Sequence, residues 1–184
     1  MYIFYKICKY DYDNPGYIND RMGIEDYIGT IGTDLENYFF WESHFVKVYQ
    51  NYLKYFGDTV ATKIFFSDVD LSHSIYMERL VLPIDELGIL KKLSFDNWSE
   101  EQREFAFQCS LRGLISIFFF TRSSHLVPME DSFYVQLKLP DDVDVNEFIP
   151  QDSPLYVYFD MDHWDSSLDV IPENCGQKLK PVAK

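Results

Sequence analysis

The stretch FYVQLKL, residues 133–139, alternates apolar and polar side chains along its length. Successive side chains of a β-strand point to opposite faces, so this period of two predicts a strand with one buried face. LYVYF, residues 155–159, repeats the pattern, and we expect its leucine, valine and phenylalanine to face the core. The two stretches predict that the last third of the chain, about residues 130–173, is rich in β-structure.

The middle of the chain predicts two helices. Between Thr33 and Phe56, apolar residues recur mostly at three- and four-residue steps, which is the spacing of one helix face. The second helix is expected to begin at Ser99, because Ser-Glu-Glu-Gln is a capping box in which the side chains of Ser99 and Gln102 satisfy exposed backbone N–H groups reciprocally. An apolar face that continues through Gly113 to Phe118 extends this predicted helix.

Further short elements complete the predicted fold. YIFYKIC at 2–8 and KIFF at 63–66 have the aromatic and β-branched composition of strands, and PIDELGILKKL at 83–93 predicts a short helix begun by its proline. We therefore expect an α+β fold. Residues 1–184 form a single domain in this interpretation, with two main helices packed on a mostly antiparallel sheet.

The charge of the chain is strongly negative and unevenly distributed. Thirty Asp and Glu residues face 16 Lys and Arg residues, for a formal net charge of -14 at pH 7. Between Glu130 and Glu173 there are twelve carboxylates and one base, Lys138. An acidic domain repels nucleic acid and anionic membranes and attracts basic surfaces. We therefore expect a basic protein partner, with no direct contact with nucleic acid or a membrane.

Cysteine usage and hydropathy indicate a cytoplasmic location. Cys8, Cys109 and Cys175 are far apart and form neither a CxxC pair nor a disulfide framework. The opening MYIFYKICKYDYD lacks the basic, apolar and small-residue regions of a secretory signal. LISIFFF at 114–120 is the longest apolar run and is far too short to span a bilayer. We expect the protein to reside in the reducing cytoplasm.

The stretch YVYFDMDHWDSSLD at 156–169 combines aromatic and acidic side chains. If Val157 and Phe159 face the core, the alternation of side chains along a strand places Tyr156, Tyr158 and Asp160 on the opposite side. Asp162 joins them if the strand continues. Carboxylates speed the encounter with a basic partner, and buried aromatic rings provide binding energy. The candidate partner-binding residues come from this stretch and the connection before it: Asp141, Asp142, Asp144, Glu147, Asp152, Tyr156, Tyr158, Asp160, Asp162, Trp164 and Asp165.

The same stretch has a second interpretation as a metal site. An apolar strand followed by Asp160 and Asp162 resembles the first motif of the haloacid dehalogenase superfamily, in which the first aspartate is the nucleophile and both help to hold magnesium. That family needs several later strands, whereas 22 residues follow Asp162 here. A metal-dependent hydrolase or transferase using these two aspartates and His163 stays as an alternative, although we expect no catalytic residue, metal or cofactor. A second possible cation set is interpreted as a polar loop: Asp68, Asp70 and His73.

As a class, the chain resembles the small cytosolic immunity proteins that neutralise bacterial nuclease toxins. The resemblance is carried by size, acidity, the one-domain α+β pattern, the missing export signal and the acidic and aromatic stretch at 130–173. It implies a non-enzymatic inhibitor that binds a basic toxin domain in a one-to-one complex and blocks it by occlusion. A nucleic-acid mimic that inhibits a host-defence nuclease is an alternative with the same charge. Such a mimic would need carboxylates at phosphate-like spacing over a long face.

Overall fold

The described residues form one seven-stranded sheet in which every neighbouring pair of strands is antiparallel. The computed structural model describes residues 1–14, 16, 35–57, 60–65, 98–129, 134–159 and 178–179. The strands are β1 (Tyr2–Cys8), β2 (Ala61–Phe65), β3 (Ser116–Phe120), β4 (His125–Met129), β5 (Tyr134–Pro140), β6 (Tyr156–Phe159) and β7 (Lys178–Leu179). Their order across the sheet is β2-β3-β4-β5-β1-β6-β7, so the first strand of the chain lies between two strands from its last third.

Two helices, α1 (Leu35–Phe56) and α2 (Glu100–Leu111), pack on one face of this sheet. The core between them takes alternate residues of the central strands, for example Tyr5 and Ile7 of β1 and Val135 and Leu137 of β5. The expected α+β fold, with two main helices on an antiparallel sheet, is therefore confirmed. Neither described helix is long and apolar enough to cross a membrane.

The start of α2 is the predicted capping box. The hydroxyl of Ser99 accepts a hydrogen bond from the backbone N–H of Gln102 at 3.2 Å, and the side-chain oxygen of Gln102 accepts one from the backbone N–H of Ser99 at 2.9 Å. Two N–H groups that the helix cannot satisfy are thereby paired. This local signal was sufficient to place the helix start.

The predicted continuation of α2 to Phe118 is wrong. The helix ends at Leu111, because Gly113 adopts a positive φ of 73°. The N–H of Leu114 donates to the carbonyl of Cys109, and the N–H of Gly113 donates to that of Ser110, which is the Schellman pattern of a helix end. The apolar run that follows forms β3 instead, with alternate residues buried.

A buried ion pair joins the two helices. Arg112, which caps the C-terminus of α2, donates from Nε and from a terminal nitrogen to the two carboxylate oxygens of Glu42 in α1, at 2.7 and 2.6 Å. The side chains are 8% and 4% exposed, respectively. Burial alone would lower the pKa of Arg112, but its hydrogen bonds with the Glu42 carboxylate and the negative charge of that carboxylate act in the opposite direction, and the pKa is raised. Both charges therefore depend on each other in a place from which water is largely excluded.

Replacing Arg112 with Met leaves the Glu42 carboxylate buried without its counter-ion. We expect the free energy of unfolding to fall by about 3–5 kcal/mol, measured by urea denaturation. The double variant Glu42→Leu/Arg112→Met removes both charges and should recover most of that loss, since no buried charge then lacks a partner. A loss of less than about 1 kcal/mol for the single variant would show that the pair acts like an exposed one.

Candidate functional site

Five of the described residues of the predicted partner-binding surface lie on a single acidic loop, residues 141–155, that connects β5 to β6. Asp141, Asp142, Asp144, Glu147 and Asp152 are all exposed. The loop contains no lysine, arginine or histidine. Five of the eleven predicted contact residues are thus brought together on one connection at the edge of the core.

Apolar side chains anchor this acidic loop to the core. Four of them, Val145, Phe148, Ile149 and Leu155, are buried in the main hydrophobic cluster. The ring of Phe148 stacks on Phe56 of α1, with 5.9 Å between the ring centroids and 9° between the ring planes. Its backbone carbonyl also accepts a hydrogen bond from the side-chain amide of Asn51 at 3.1 Å. The loop is therefore held against α1 by packing and by a hydrogen bond.

Local hydrogen bonds shape the backbone between these anchors. Asp144 caps a short 3-10 helix, Val145–Glu147, and its carboxylate accepts from the backbone and side-chain N–H groups of Asn146 at 2.9 and 2.8 Å. At the start of the loop, the backbone N–H of Asp141 donates to the carbonyl of Met1. A loop tied down in this way presents its carboxylates from a defined backbone, which lowers the entropy lost when a partner binds.

The charge of Asp144 reaches the sheet beneath the loop. The pKa of Tyr5 is raised, first by burial of its phenol and second by the negative charge of Asp144. Burial penalises the phenolate, and a nearby carboxylate penalises it further. The carboxylate of Asp144 is therefore near enough to Tyr5, in the middle of β1, for its charge to act on the phenol.

Two exposed tyrosines lie next to the acidic loop, and the sequence interpretation did not assign either of them. Tyr55 of α1 is 50% exposed, and its ring centroid is 5.2 Å from that of Phe148. Tyr2 of β1 is 38% exposed and follows Met1, whose amino group lies 3.4 Å from the carboxylate of Asp141. Tyr55 lies at the flank of the buried face of its helix, two turns after Val48, and its neighbourhood with the loop depends on tertiary packing.

The two tyrosines of β6 differ in their accessibility. Tyr156 is half-buried, and Tyr158 is 6% exposed in a cluster with Cys8, Tyr10 and Tyr134. The phenol of Tyr158 donates to Asp11 at 3.3 Å and accepts from the backbone N–H of Tyr12 at 2.9 Å, and burial raises its pKa. The predicted strand parity is correct. However, Tyr158 is enclosed by the segment after β1 rather than presented to a partner.

Four predicted contact residues lie outside the described residues. So do both candidate cation sets, with their histidines at 73 and 163, and the predicted helix at 83–93. They stay predictions from the sequence. The residues concerned are Asp68, Asp70, His73, Asp160, Asp162, His163, Trp164 and Asp165.

The described residues contain no cluster of three or more His, Cys, Asp or Glu side chains that could hold a metal ion. Their two cysteines, Cys8 and Cys109, are both buried thiols. Burial raises the pKa of the Cys8 thiol to about 11, even though the nearby backbone hydrogen bond and Lys6 act in the opposite direction. Cys8 is therefore protonated at neutral pH and is a poor nucleophile.

Comparisons of the chain with protein-family models, curated proteins and solved structures gave no match. The candidate site is accordingly interpreted from its own geometry and charge.

Proposed function

We propose that this protein is a non-enzymatic inhibitor of the immunity type, which binds a basic toxin domain, most simply a nuclease, and blocks it by occlusion in the cytoplasm. One observation carries the proposal: five exposed carboxylates lie on a loop without a base, and buried side chains fix that loop to the core. The two exposed tyrosines beside the loop, Tyr2 and Tyr55, supply aromatic surface next to the charge.

The proposed partner is basic because of electrostatic complementarity. An enzyme that acts on nucleic acid has cationic side chains where it holds phosphates. Carboxylates held in front of such a cleft take the place of phosphates, and their long-range field increases the rate of encounter. Occlusion requires this fit alone, and neither a reactive group nor a cofactor is needed on the inhibitor.

The combination of acid and aromatic side chains favours a protein-specific interface over simple mimicry of nucleic acid. Charged groups at an interface rim mainly set the association rate, whereas aromatic side chains that become buried mainly set the lifetime of the complex. The acidic loop with Tyr2 and Tyr55 offers both kinds of group. The association and dissociation rates should therefore respond to different substitutions.

A tagged copy of the protein should capture a basic protein from the source cell in a one-to-one complex and should abolish that protein's activity on nucleic acid without turnover. We also expect a neighbouring gene to encode a large secreted protein with a basic C-terminal domain. Mass spectrometry of the captured material and a nuclease assay with increasing inhibitor would measure these outcomes. Absence of both the gene and a captured basic protein would contradict the proposal.

Charge reversal in the acidic loop should slow the association with that purified toxin. Asp141→Lys/Asp142→Lys should reduce the association rate constant by about tenfold at low salt, with the difference shrinking as ionic strength rises. The matched control is Glu100→Lys/Glu101→Lys, which makes the same change in net charge at exposed positions in the first turn of α2. Equal slowing in both variants, measured by stopped-flow mixing, would show that the acidic loop is not the interface.

Truncation of Tyr55 should shorten the lifetime of the same complex. We expect Tyr55→Ala to raise the dissociation rate constant by about tenfold or more, because aromatic side chains buried at an interface commonly contribute more than 1 kcal/mol. Phe40→Ala is the matched control, since Phe40 lies on the same helix and is also 50% exposed. Surface plasmon resonance of both variants measures the effect, and similar dissociation rates would remove Tyr55 from the interface.

A further inference from the structure

The outer side of α1 carries an aromatic ring that the core of the protein cannot take. The buried residues of this helix include Tyr38, Phe45 and Tyr49, which lie along one side of it. A helix turns by about 100° per residue, so Phe40 lies on the side opposite to these three. Its side chain is accordingly 50% exposed.

Other rings surround Phe40 and make the exposed apolar surface continuous. Phe39, the preceding residue, is 39% exposed. The ring of Phe40 also meets those of Trp41 and His44 at steep angles, with 5.3 and 4.9 Å between the ring centroids. Single apolar side chains on a surface are ordinary, but a contiguous group of them marks a place where another molecule binds.

Charged and small residues continue the line of Phe40 along the helix. Glu36, Phe40, Ser43 and Lys47 follow one another at steps of four, three and four residues, and all four side chains are exposed. We call these four residues the α1 stripe, since this spacing places them on one side of a helix. Within the described part of the chain, neither Glu36 nor Lys47 forms an ion pair.

The α1 stripe is complementary to its own reverse. Two α1 helices can lie antiparallel across a two-fold axis that passes between positions 41 and 42. Glu36 of each copy then faces Lys47 of the other, so that each acid meets a base. Phe40 of each copy faces Ser43 of the other, and the small side chain leaves room for the ring. In homodimers of this symmetry the same surface serves both copies.

Ser43 is suited to pack against a ring because its hydroxyl is already satisfied. This hydroxyl donates a hydrogen bond to the backbone carbonyl of Phe40 in its own helix at 2.7 Å. A polar group that loses water on association costs free energy when it is left without a partner. Covering Ser43 with an apolar ring therefore leaves no hydroxyl hydrogen unpaired.

We propose that the α1 stripe is a self-association surface, through which two copies of the chain form a symmetric antiparallel helix pair. The occupant of this surface is a second copy of the same chain, and symmetry doubles each contact into two ion pairs and two ring contacts. The seam extends over about three helix turns and buries less area than the roughly 1,200 Å² of the smallest stable complexes. We expect a weak dimer, with a dissociation constant on the order of 100 μM.

The net charge of the chain opposes this pairing only in part. The α1 stripe contains one acid and one base and is itself neutral. The acidic loop contacts α1 near Phe56, roughly 20 Å along the helix from the two-fold axis, through the ring of Phe148. Screening at physiological ionic strength acts over about 8 Å, so the loop carboxylates add little repulsion at the seam. Antiparallel pairing also leaves the two acidic loops at opposite ends of the dimer, free to bind.

Sedimentation equilibrium of the full chain tests the proposal, because the average mass should rise from that of a monomer toward that of a dimer between about 1 and 500 μM. Phe40→Ala should weaken dimerisation by at least about tenfold, since truncated aromatic residues at the centre of an interface have large effects. Tyr55→Ala is the matched control and should stay within about twofold of wild type. Tyr55 is also 50% exposed on the same helix but lies outside the α1 stripe.

Reversal of single charges separates pairing from net charge. Glu36→Lys makes the chain less negative and Lys47→Glu makes it more negative, but each should weaken dimerisation by about fivefold, because each places like charges opposite one another. Glu36→Lys/Lys47→Glu restores both ion pairs and should recover dimerisation. An equimolar mixture of the two single variants should form mixed dimers more readily than either forms its own.

Lys54→Glu is the matched control for these charge variants. It makes the same change in net charge as Lys47→Glu, at an exposed position of α1 outside the stripe, and should stay within about twofold of wild type. All the substituted side chains are exposed, so each variant should keep the melting temperature of the wild-type protein to within a few degrees, measured by circular dichroism.

Three results would overturn the proposal. The chain could stay monomeric up to about 1 mM, which would leave the α1 stripe to a different partner. Phe40→Ala and Tyr55→Ala could weaken dimerisation equally, or the two single charge variants could shift it in opposite directions, as net charge alone predicts. None of these measurements contains a toxin, so failure of the dimer and failure of the proposed inhibitor function are distinguishable. At nanomolar concentrations this dimer is dissociated, and Phe40→Ala remains a valid control for toxin binding.

Discussion

The position of β1 between β5 and β6 is the constraint on which the rest of the structure depends. Its backbone pairs on both sides: Tyr2–Cys8 is aligned with Tyr134–Pro140 on one flank, and residues 5–8 are aligned with Tyr156–Phe159 on the other. The register of a central strand is fixed, because a shift of one residue would exchange its buried and exposed side chains. Alternate residues of β1 therefore complete the core beneath the helices, and the intervening residues build the opposite face.

The position of the acidic loop follows from that pairing. Pairing of β1 with β5 brings Met1 against Asp141, at the first residue of the acidic loop. The same pairing places Phe4 beside Lys138 on the face opposite the helices. The acidic loop thereby crosses the end of β1, between the two strands that flank it.

The burial of one sheet face also determines how the acidic loop is held. Phe148 and Leu155 enter the same core that takes the buried residues of α1, and the carboxylates between them stay exposed. A loop with this many like charges would repel itself if it were loose, and each charge would have to be ordered at a cost on binding. Because apolar side chains anchor the loop, its conformational entropy is already lost when the protein folds and not when a partner binds. The Glu42–Arg112 pair acts in a comparable way for the helices, because it fixes the end of α2 against α1.

The sequence by itself determined the fold class, most of the strands and the start of α2, since alternation and a capping box are expressed within a few neighbouring residues. It also located the acidic connection at 141–152, because exposure of many carboxylates follows from their cost of burial. It missed the end of α2, because the apolar pattern after Gly113 fits a helix as well as a strand. The positive φ of Gly113 ends the helix there.

Other features were decided by the tertiary structure alone, because their partners lie far apart in the chain. Burial of Tyr158 results from the segment after β1, more than a hundred residues earlier, closing over it. The proximity of Tyr55 to the acidic loop depends on Phe148. Local periodicity assigns a side chain to a face of its own element, but only the packing of distant elements determines which other side chains share that surface.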